Sequence, residues 1–148
     1  DFWSSPKKTV CLGHGDCDDL AVYSAFRLEQ MGYPALILDL KGFDKGSQKR
    51  CFHLAGLIKN VEKGFVSYSL IERNFLLFDE FFQGEKRVFK GFDSINELIK
   101  NFNSRNEKFF YTHYKLIDLS DFAPDWRTTN QNLLNKKLAS NKGYIKIN

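Results

Sequence analysis

The sequence predicts an α+β domain in which an early helix packs on an antiparallel β-sheet. Two observations support this prediction. An amphipathic helix pattern over residues 17–31 precedes several strand patterns joined by short turns, and a second helix pattern enters only at residues 92–102. With 148 residues, of which 43% are hydrophobic and 16% aromatic, the chain has enough apolar material for one core. We therefore predict a single domain over residues 1–148, with a lead-in at 1–12 and a C-terminal extension at 120–148.

The lead-in predicts a short helical turn that Pro6 starts and that Ser4 or Ser5 caps. Proline suits the first helical position, and a serine hydroxyl can accept a hydrogen bond from an unpaired backbone N–H. Phe2 and Trp3 are expected to pin this segment to the core.

The main helix is predicted to begin at Cys17 or Asp18 and to end at Met31. Asp16 is the expected N-cap, and Gly32 supplies the left-handed residue that commonly ends a helix. The stripe of this helix that faces the core is predicted to consist of Leu20, Ala21, Ser24, Ala25, Leu28 and Met31.

The strand patterns begin with a buried strand at residues 35–40, which a basic loop at 41–50 follows. The loop is expected to be solvated, and the alternative is a basic rim that attracts acidic substrates. Residues 51–70 predict two strands around a turn, and alternation places four residues on one face of the first strand: Cys51, His53, Ala55 and Leu57. If the turn is centred near Val61, Ser69 falls opposite His53.

The later elements are a hairpin around residues 83–85, a helix and a last strand at residues 108–119. Ser94 and Glu97 form a capping box at the start of the helix, whose apolar side is predicted to be Ile95, Leu98, Ile99 and Phe102. A weak helix pattern lies at residues 132–138.

The cysteine count favours thiol chemistry over disulfide stapling. Cys11, Cys17 and Cys51 match neither a metal-ligand spacing nor an even disulfide set. Cys17 follows a glycine-rich turn and opens the main helix, where unpaired backbone N–H groups and the helix dipole stabilise a thiolate. The alternative is a small buried cysteine with no chemical role.

Composition limits the partners of this chain. The net charge of +4 is spread along the sequence, and no basic helix or stacking-aromatic motif supports nucleic-acid binding. No apolar run reaches the roughly 20 residues that a membrane helix needs, so we expect a soluble protein without membrane insertion. Cytoplasmic and exported mature forms are both compatible with this composition, and no pattern indicates an oligomeric state.

Several motifs resemble those of the transglutaminase-like cysteine peptidase superfamily, which shares a papain-like core, and in particular its bacterial branch. They are the Trp-Ser-Ser-Pro of residues 3–6, the Gly-His-Gly-Asp-Cys-Asp-Asp-Leu-Ala of residues 13–21, the strand at 33–40 and His53. The likeness covers residues 1–70. It implies a nucleophile helix packed on an antiparallel sheet, and a Cys-His pair that acts on amides.

The resemblance assigns the roles of the site residues. Cys17 is the nucleophile and His53 is the base that later becomes the acid. The family places Asp or Asn on the following strand, where this sequence offers Ser69 first and Ser67 second. Asn74 and Asp79 are the alternatives for a different register. A serine would orient the imidazole without adding charge.

Three aspartates crowd Cys17, and their like charge raises the pKa of a thiol. Asp16, Asp18 and Asp19 could be satisfied by helix N–H groups and basic neighbours. Alternatively they could form the Ca²⁺ site that some bacterial relatives in this superfamily carry beside the cysteine. No other cofactor is expected to be required.

The function that follows is hydrolysis of an amide in a protein or peptide through a thioester on Cys17, a cysteine peptidase or amidase activity. The alternatives are a transglutaminase that crosslinks protein glutamine, and a non-catalytic binding module that lacks the acidic third residue. His14 is expected to be solvated and His113 structural, with His113 as the base if His53 faces away. Cys51, two residues before His53, is expected to lie near the same pocket.

Overall fold

The computed structural model describes residues 5–13, 15–72, 76–121 and 143–148. Its helices are α1 (Pro6–Leu12), α2 (Cys17–Gln30) and α3 (Ile95–Arg105). Its strands are β1 (Leu36–Asp44), β2 (Arg50–Glu62), β3 (Phe65–Ile71), β4 (Leu76–Leu77), β5 (Asp79–Gln83), β6 (Lys86–Lys90), β7 (Phe109–Asp118) and β8 (Ile145–Lys146). A short 3-10 turn, Leu119–Asp121, follows β7. The predicted α+β class is confirmed.

The main sheet has six strands in the order β4-β3-β2-β1-β7-β8, and every neighbouring pair is antiparallel. The hairpin β5-β6 forms a separate two-stranded sheet. The predicted buried strand at residues 35–40 is the start of β1, the central strand, and all six of these residues are buried. They are apolar at nearly every position because both faces of the sheet are covered.

Two apolar clusters cover the two faces of the sheet. The α2 face consists of Ala21, Val22, Ala25, Ala35, Ile37, Leu54, Ile117 and Leu119. The α3 face includes Leu36, Leu38, Leu40, Ala55, Leu57, Leu70, Leu98, Ile99, Phe102 and Tyr111. Successive residues of a strand point to opposite faces, so neighbours on β2 such as Leu54 and Ala55 join different clusters.

Helix α2 begins where the sequence predicts. The carboxylate of Asp16 accepts a hydrogen bond from the backbone N–H of Asp19 at 3.3 Å, which caps the first turn. Gly32 has a φ of 90°, so it is the left-handed residue that ends the helix. The predicted core position at Met31 is wrong, because this residue is the C-cap and is 68% exposed. Val22, which the predicted stripe omitted, is fully buried.

The β2–β3 register differs from the predicted one. A two-residue turn of Lys63 and Gly64, both with positive φ, joins the strands. Ser69 consequently pairs with Ile58, and the prediction that it falls opposite His53 is wrong. When the centre of a hairpin turn moves by one residue, the cross-strand partner of every strand residue moves by two positions.

A β-bulge interrupts the pairing of β1 with β7. Lys41 pairs with His113, whereas the next residue, Gly42, pairs with Tyr111, so Thr112 is the extra residue. A side chain at Gly42 would collide with the carbonyl of Phe110. Residue 42 must therefore be glycine for the two strands to approach this closely at the bulge.

Most of the remaining local predictions are confirmed. Pro6 does start a helix, the predicted hairpin is β5-β6, and the Ser94 hydroxyl caps α3 by accepting from Glu97 N–H at 3.1 Å. The basic loop is shorter than predicted, with the exposed turn at residues 45–49. Residues 1–4, including Phe2, Trp3 and Ser4, and the weak helix at 132–138 lie outside the described residues. Within the described part of the chain, no helix is long and apolar enough to cross a membrane.

Candidate active site

Cys17 is the first residue of α2 and lies half-buried against β2. Its thiol donates a hydrogen bond to Oδ1 of Asp18 at 3.2 Å. The backbone N–H of Leu54 donates to the same sulfur. The predicted nucleophile thus rests beside the residue that follows His53 in β2.

The environment of Cys17 disfavours its thiolate. Burial is the largest effect and raises the pKa of the thiol to about 11, and the hydrogen bond to Asp18 and the negative charges of Asp18 and Asp16 act in the same direction. The hydrogen bond from Leu54 opposes them but does not prevail. Position at a helix start is therefore not sufficient to ionise Cys17. The neighbouring carboxylates raise its pKa, as the sequence predicts.

A cavity of about 460 Å³ joins Cys17 to His53. It lies between the first turns of α2 and the end of β3, next to residues 53–55 of β2. Its lining consists of Cys17, Leu20, Ala21, Tyr23, Ser24, His53, Leu54, Ala55, Ile71 and Glu72. The wall is mostly apolar, and its polar groups are the thiol, the imidazole, the Glu72 carboxylate and two hydroxyls.

His53 is held by an acidic partner. Its Nε2 lies 2.6 Å from Oε1 of Glu72, and the two side chains are only 23% and 12% exposed. A carboxylate accepts here, so Nε2 carries the proton of this hydrogen bond, and in the neutral imidazole the lone pair is then on Nδ1. The imidazole also stacks on Phe102 and Tyr111, at centroid distances of 6.3 and 6.1 Å. A charged hydrogen bond and two rings therefore fix its orientation.

The thiol and the imidazole approach the cavity from different faces of the sheet. Leu54, which donates to the sulfur, belongs to the α2 face, whereas His53 contacts Phe102 of α3 and Tyr111 on the other face. They share a cavity because β3 ends at Ile71, opposite Gly56, so that its described pairing with β2 stops before residues 53–55.

The described structure gives no support to the predicted calcium site at the acidic residues around Cys17. Within the described residues, no group of three or more His, Cys, Asp or Glu side chains is arranged to hold a metal ion. The carboxylate of Asp16 caps α2, and that of Asp18 accepts from the thiol. One oxygen of each of these two carboxylates is thus already bonded to a neighbour.

A second buried carboxylate lies on the same face as the thiol. Asp39 of β1 pairs with Leu54 on one side and with Lys115 of β7 on the other. Its Oδ2 accepts a hydrogen bond from the Tyr144 hydroxyl at 2.7 Å and lies 3.8 Å from the Lys115 ammonium. Burial raises the pKa of Asp39, the Tyr144 hydrogen bond and the Lys115 charge lower it, and the charge of Asp18 raises it further.

The predicted third catalytic residues are not at the imidazole. Ser69 is buried on β3 opposite Ile58, and Ser67 pairs with Asn60 nearer the hairpin tip. The partner that His53 does have is Glu72, which follows the last residue of β3. Asn74 and His14 lie outside the described residues, as does the side chain of Asp79.

Two other predicted neighbours lie elsewhere. Cys51 packs against the α3 cluster, burial raises its pKa, and it is not part of the described lining of the Cys17 cavity. All three cysteines are free thiols. His113 bonds the hydroxyl of Thr112 through Nδ1 at 2.8 Å and pairs with Lys41.

Sequence reasoning missed Glu72, Asp39 and Asn103. The sequence does contain a signal for Glu72, because it is an acidic residue directly after β3, the strand that pairs with the His53 strand. The signal for Asp39 is a single charged residue within an apolar strand. Asn103 bonds both the N–H and the carbonyl of Tyr111 at 2.8 Å and so fixes the ring behind the imidazole.

Neither models of known protein families nor curated proteins give a match to this chain.

Proposed function

We propose that this chain hydrolyses an amide bond in a protein or peptide through a thioester on Cys17, as a transglutaminase-like cysteine peptidase or amidase does. The observation that carries the proposal is one cavity that holds the Cys17 thiol together with a His53 imidazole already bonded to a carboxylate. Glu72 supplies the acidic partner that the serines of β3 lack. It supports the imidazolium that forms when His53 takes a proton.

The chemistry divides between these residues as follows. The thiol proton moves to Nδ1 of His53 while the sulfur attacks the amide carbonyl, which forms a C–S bond and a tetrahedral intermediate. The intermediate collapses, the C–N bond breaks, and His53 returns the proton to the leaving amine. Water then attacks the thioester with His53 as base, the C–S bond breaks, and the thiol regains its proton.

The thiol must lose its proton during attack because it is protonated at rest. A pKa of about 11 leaves on the order of one Cys17 in ten thousand ionised at pH 7. Leu54 N–H, which already contacts the sulfur, stabilises the charge that develops there. Cys17 and His53 therefore act as a general-base pair rather than as a preformed ion pair.

The test is cleavage of a random peptide mixture, followed by mass spectrometry of the new amino termini. Cys17→Ala is expected to abolish cleavage, because the variant lacks the sulfur on which the thioester forms. Cys51→Ala is the matched control and is expected to cleave at the wild-type rate. Equal cleavage by the wild type and Cys17→Ala, or by neither protein, contradicts the proposal.

The second candidate function is a non-catalytic binding module, and the raised pKa of Cys17 favours it. Iodoacetamide labelling of a Cys11→Ala/Cys51→Ala protein, followed against pH, measures this pKa on Cys17 alone. A rate that rises only toward about pH 11, and that His53→Ala leaves unchanged, favours the module. A rate at neutral pH that exceeds what the ionised fraction of Cys17 allows, and that falls in His53→Ala, favours the enzyme.

A further inference from the structure

A second cavity, of about 410 Å³, lies on the α3 side of the His53–Glu72 pair. Its lining consists of His53, Glu72, Phe102, Arg105, Asn106, Glu107, Lys108, Phe109 and Tyr111. Of these residues only His53 and Glu72 also line the cavity that contains Cys17. The His53–Glu72 pair is thus the wall that the two cavities have in common.

The inner part of this second cavity is aromatic. The rings of Phe102 and Tyr111 are nearly parallel, at 4° and a centroid distance of 5.7 Å, and both are buried. Asn103 holds the backbone of Tyr111 from behind. A flat apolar group that enters can stack on this rigid surface without first having to order it.

The rim of the second cavity is basic. Arg105 ends α3, and Lys108 lies with its ammonium 5.1 Å from the centroid of the Phe109 ring. Lys45 adds a third cation next to the rim, since its ammonium donates to the carbonyl of Asn106 at 2.6 Å. The lining also holds two carboxylates, the exposed Glu107 and Glu72, which is bonded to His53 at the inner wall. Arg105 and Lys108 are the two cations of the lining that a ligand carboxylate can contact.

We propose that this second cavity binds an aromatic or apolar residue that carries a carboxylate. The ring or aliphatic group stacks on Phe102 and Tyr111, and the carboxylate faces Arg105 and Lys108. This site stands apart from the proposed cleavage, because the His53–Glu72 pair separates it from the cavity that holds Cys17.

The test measures binding without turnover. In a Cys17→Ala protein, isothermal titration compares Nα-acetylphenylalanine with Nα-acetylphenylalanine amide, which have the same ring and differ in the carboxylate. The carboxylate is expected to bind about fivefold more tightly, the effect of two exposed ion pairs. The double variant Arg105→Gln/Lys108→Gln is expected to bring the two affinities within about twofold of each other.

The control for this double variant is Lys59→Gln/Lys100→Gln, which removes the same charge from residues outside the cavity lining. It is expected to keep the preference for the carboxylate. Equal affinity for the two probes, or an equal loss of preference in both double variants, overturns the proposal. Binding with this preference in a protein that cleaves no peptide supports the site and rejects the proposed hydrolysis. Cleavage without the preference does the reverse.

Discussion

On the α3 face of the sheet, the imidazole of His53 is oriented by Glu72 and by two aromatic rings. On the α2 face, the thiol of Cys17 bonds a carboxylate that opposes its ionisation. The carboxylate at the imidazole fixes the orientation of the ring, whereas the carboxylate at the thiol favours its neutral form. The imidazole is thus already oriented in the resting protein, whereas the surroundings of the thiol do not ionise it.

Glu72→Gln is the change that should weaken this contrast most. The variant keeps the shape of the side chain but removes the charge that supports the imidazolium, so kcat/KM for peptide cleavage is expected to fall about a hundredfold or more. The control is Glu62→Gln at the tip of the β2–β3 hairpin, which removes the same charge far from the imidazole. Activity of Glu72→Gln within twofold of the wild type would show that the pair is structural.

Asp18→Asn removes the carboxylate that accepts a hydrogen bond from the Cys17 thiol. Removing the carboxylate is expected to lower the pKa of Cys17 and to raise its iodoacetamide labelling rate at neutral pH about tenfold, the effect of one pKa unit. The rate is measured in the Cys11→Ala/Cys51→Ala background, where Cys17 is the only thiol. Asp19→Asn removes the same charge one residue further on, and its rate should stay within about twofold. An unchanged rate in Asp18→Asn would mean that burial alone suppresses the thiolate.

Tyr144→Phe is expected to have the smallest effect, and this effect should depend on pH. A raised pKa means that folded Asp39 holds its proton more tightly than the unfolded chain does, so its contribution to stability is lost as pH rises through the folded pKa. The Tyr144 hydroxyl lowers this pKa and limits the loss. Without it, the free energy of unfolding should fall by about 1 kcal/mol at neutral pH and by less at about pH 4.

Urea unfolding of Tyr144→Phe and wild type at the two pH values measures this difference. Tyr33→Phe, in the turn after α2, is the control for loss of a hydroxyl and should show no such pH dependence. An effect of equal size at both pH values would separate Tyr144 from the ionisation of Asp39.

The features that the sequence predicts well have local signals. The start of α2 follows from Asp16 and the glycine-rich turn, the start of α3 from Ser94, and the burial of β1 from its apolar run. In each of these cases the decisive residues lie within a few positions of one another. The placement of Cys17 and His53 at one cavity has no such local signal, and only the resemblance of their motifs implied it.

The features that the sequence did not predict depend on register. Lys63 and Gly64, rather than residues around Val61, make the β2–β3 turn, and this choice decides that Glu72 reaches His53 while Ser69 does not. The row of Asp39, Lys115 and Tyr144 joins β1, β7 and the residue before β8, which are far apart in the sequence. No local pattern carries such pairings.

The bulge at Thr112 has a consequence for how this fold tolerates insertions and deletions. Tyr111 and Tyr114 both belong to the α3 face although they are three positions apart, because Thr112 is one residue more than regular alternation allows. Deleting that residue would turn everything before it in β7 by one face, and the ring that now backs His53 would point toward α2. A single codon in β7 thus decides whether the imidazole has its aromatic support, although that codon encodes no residue of the site.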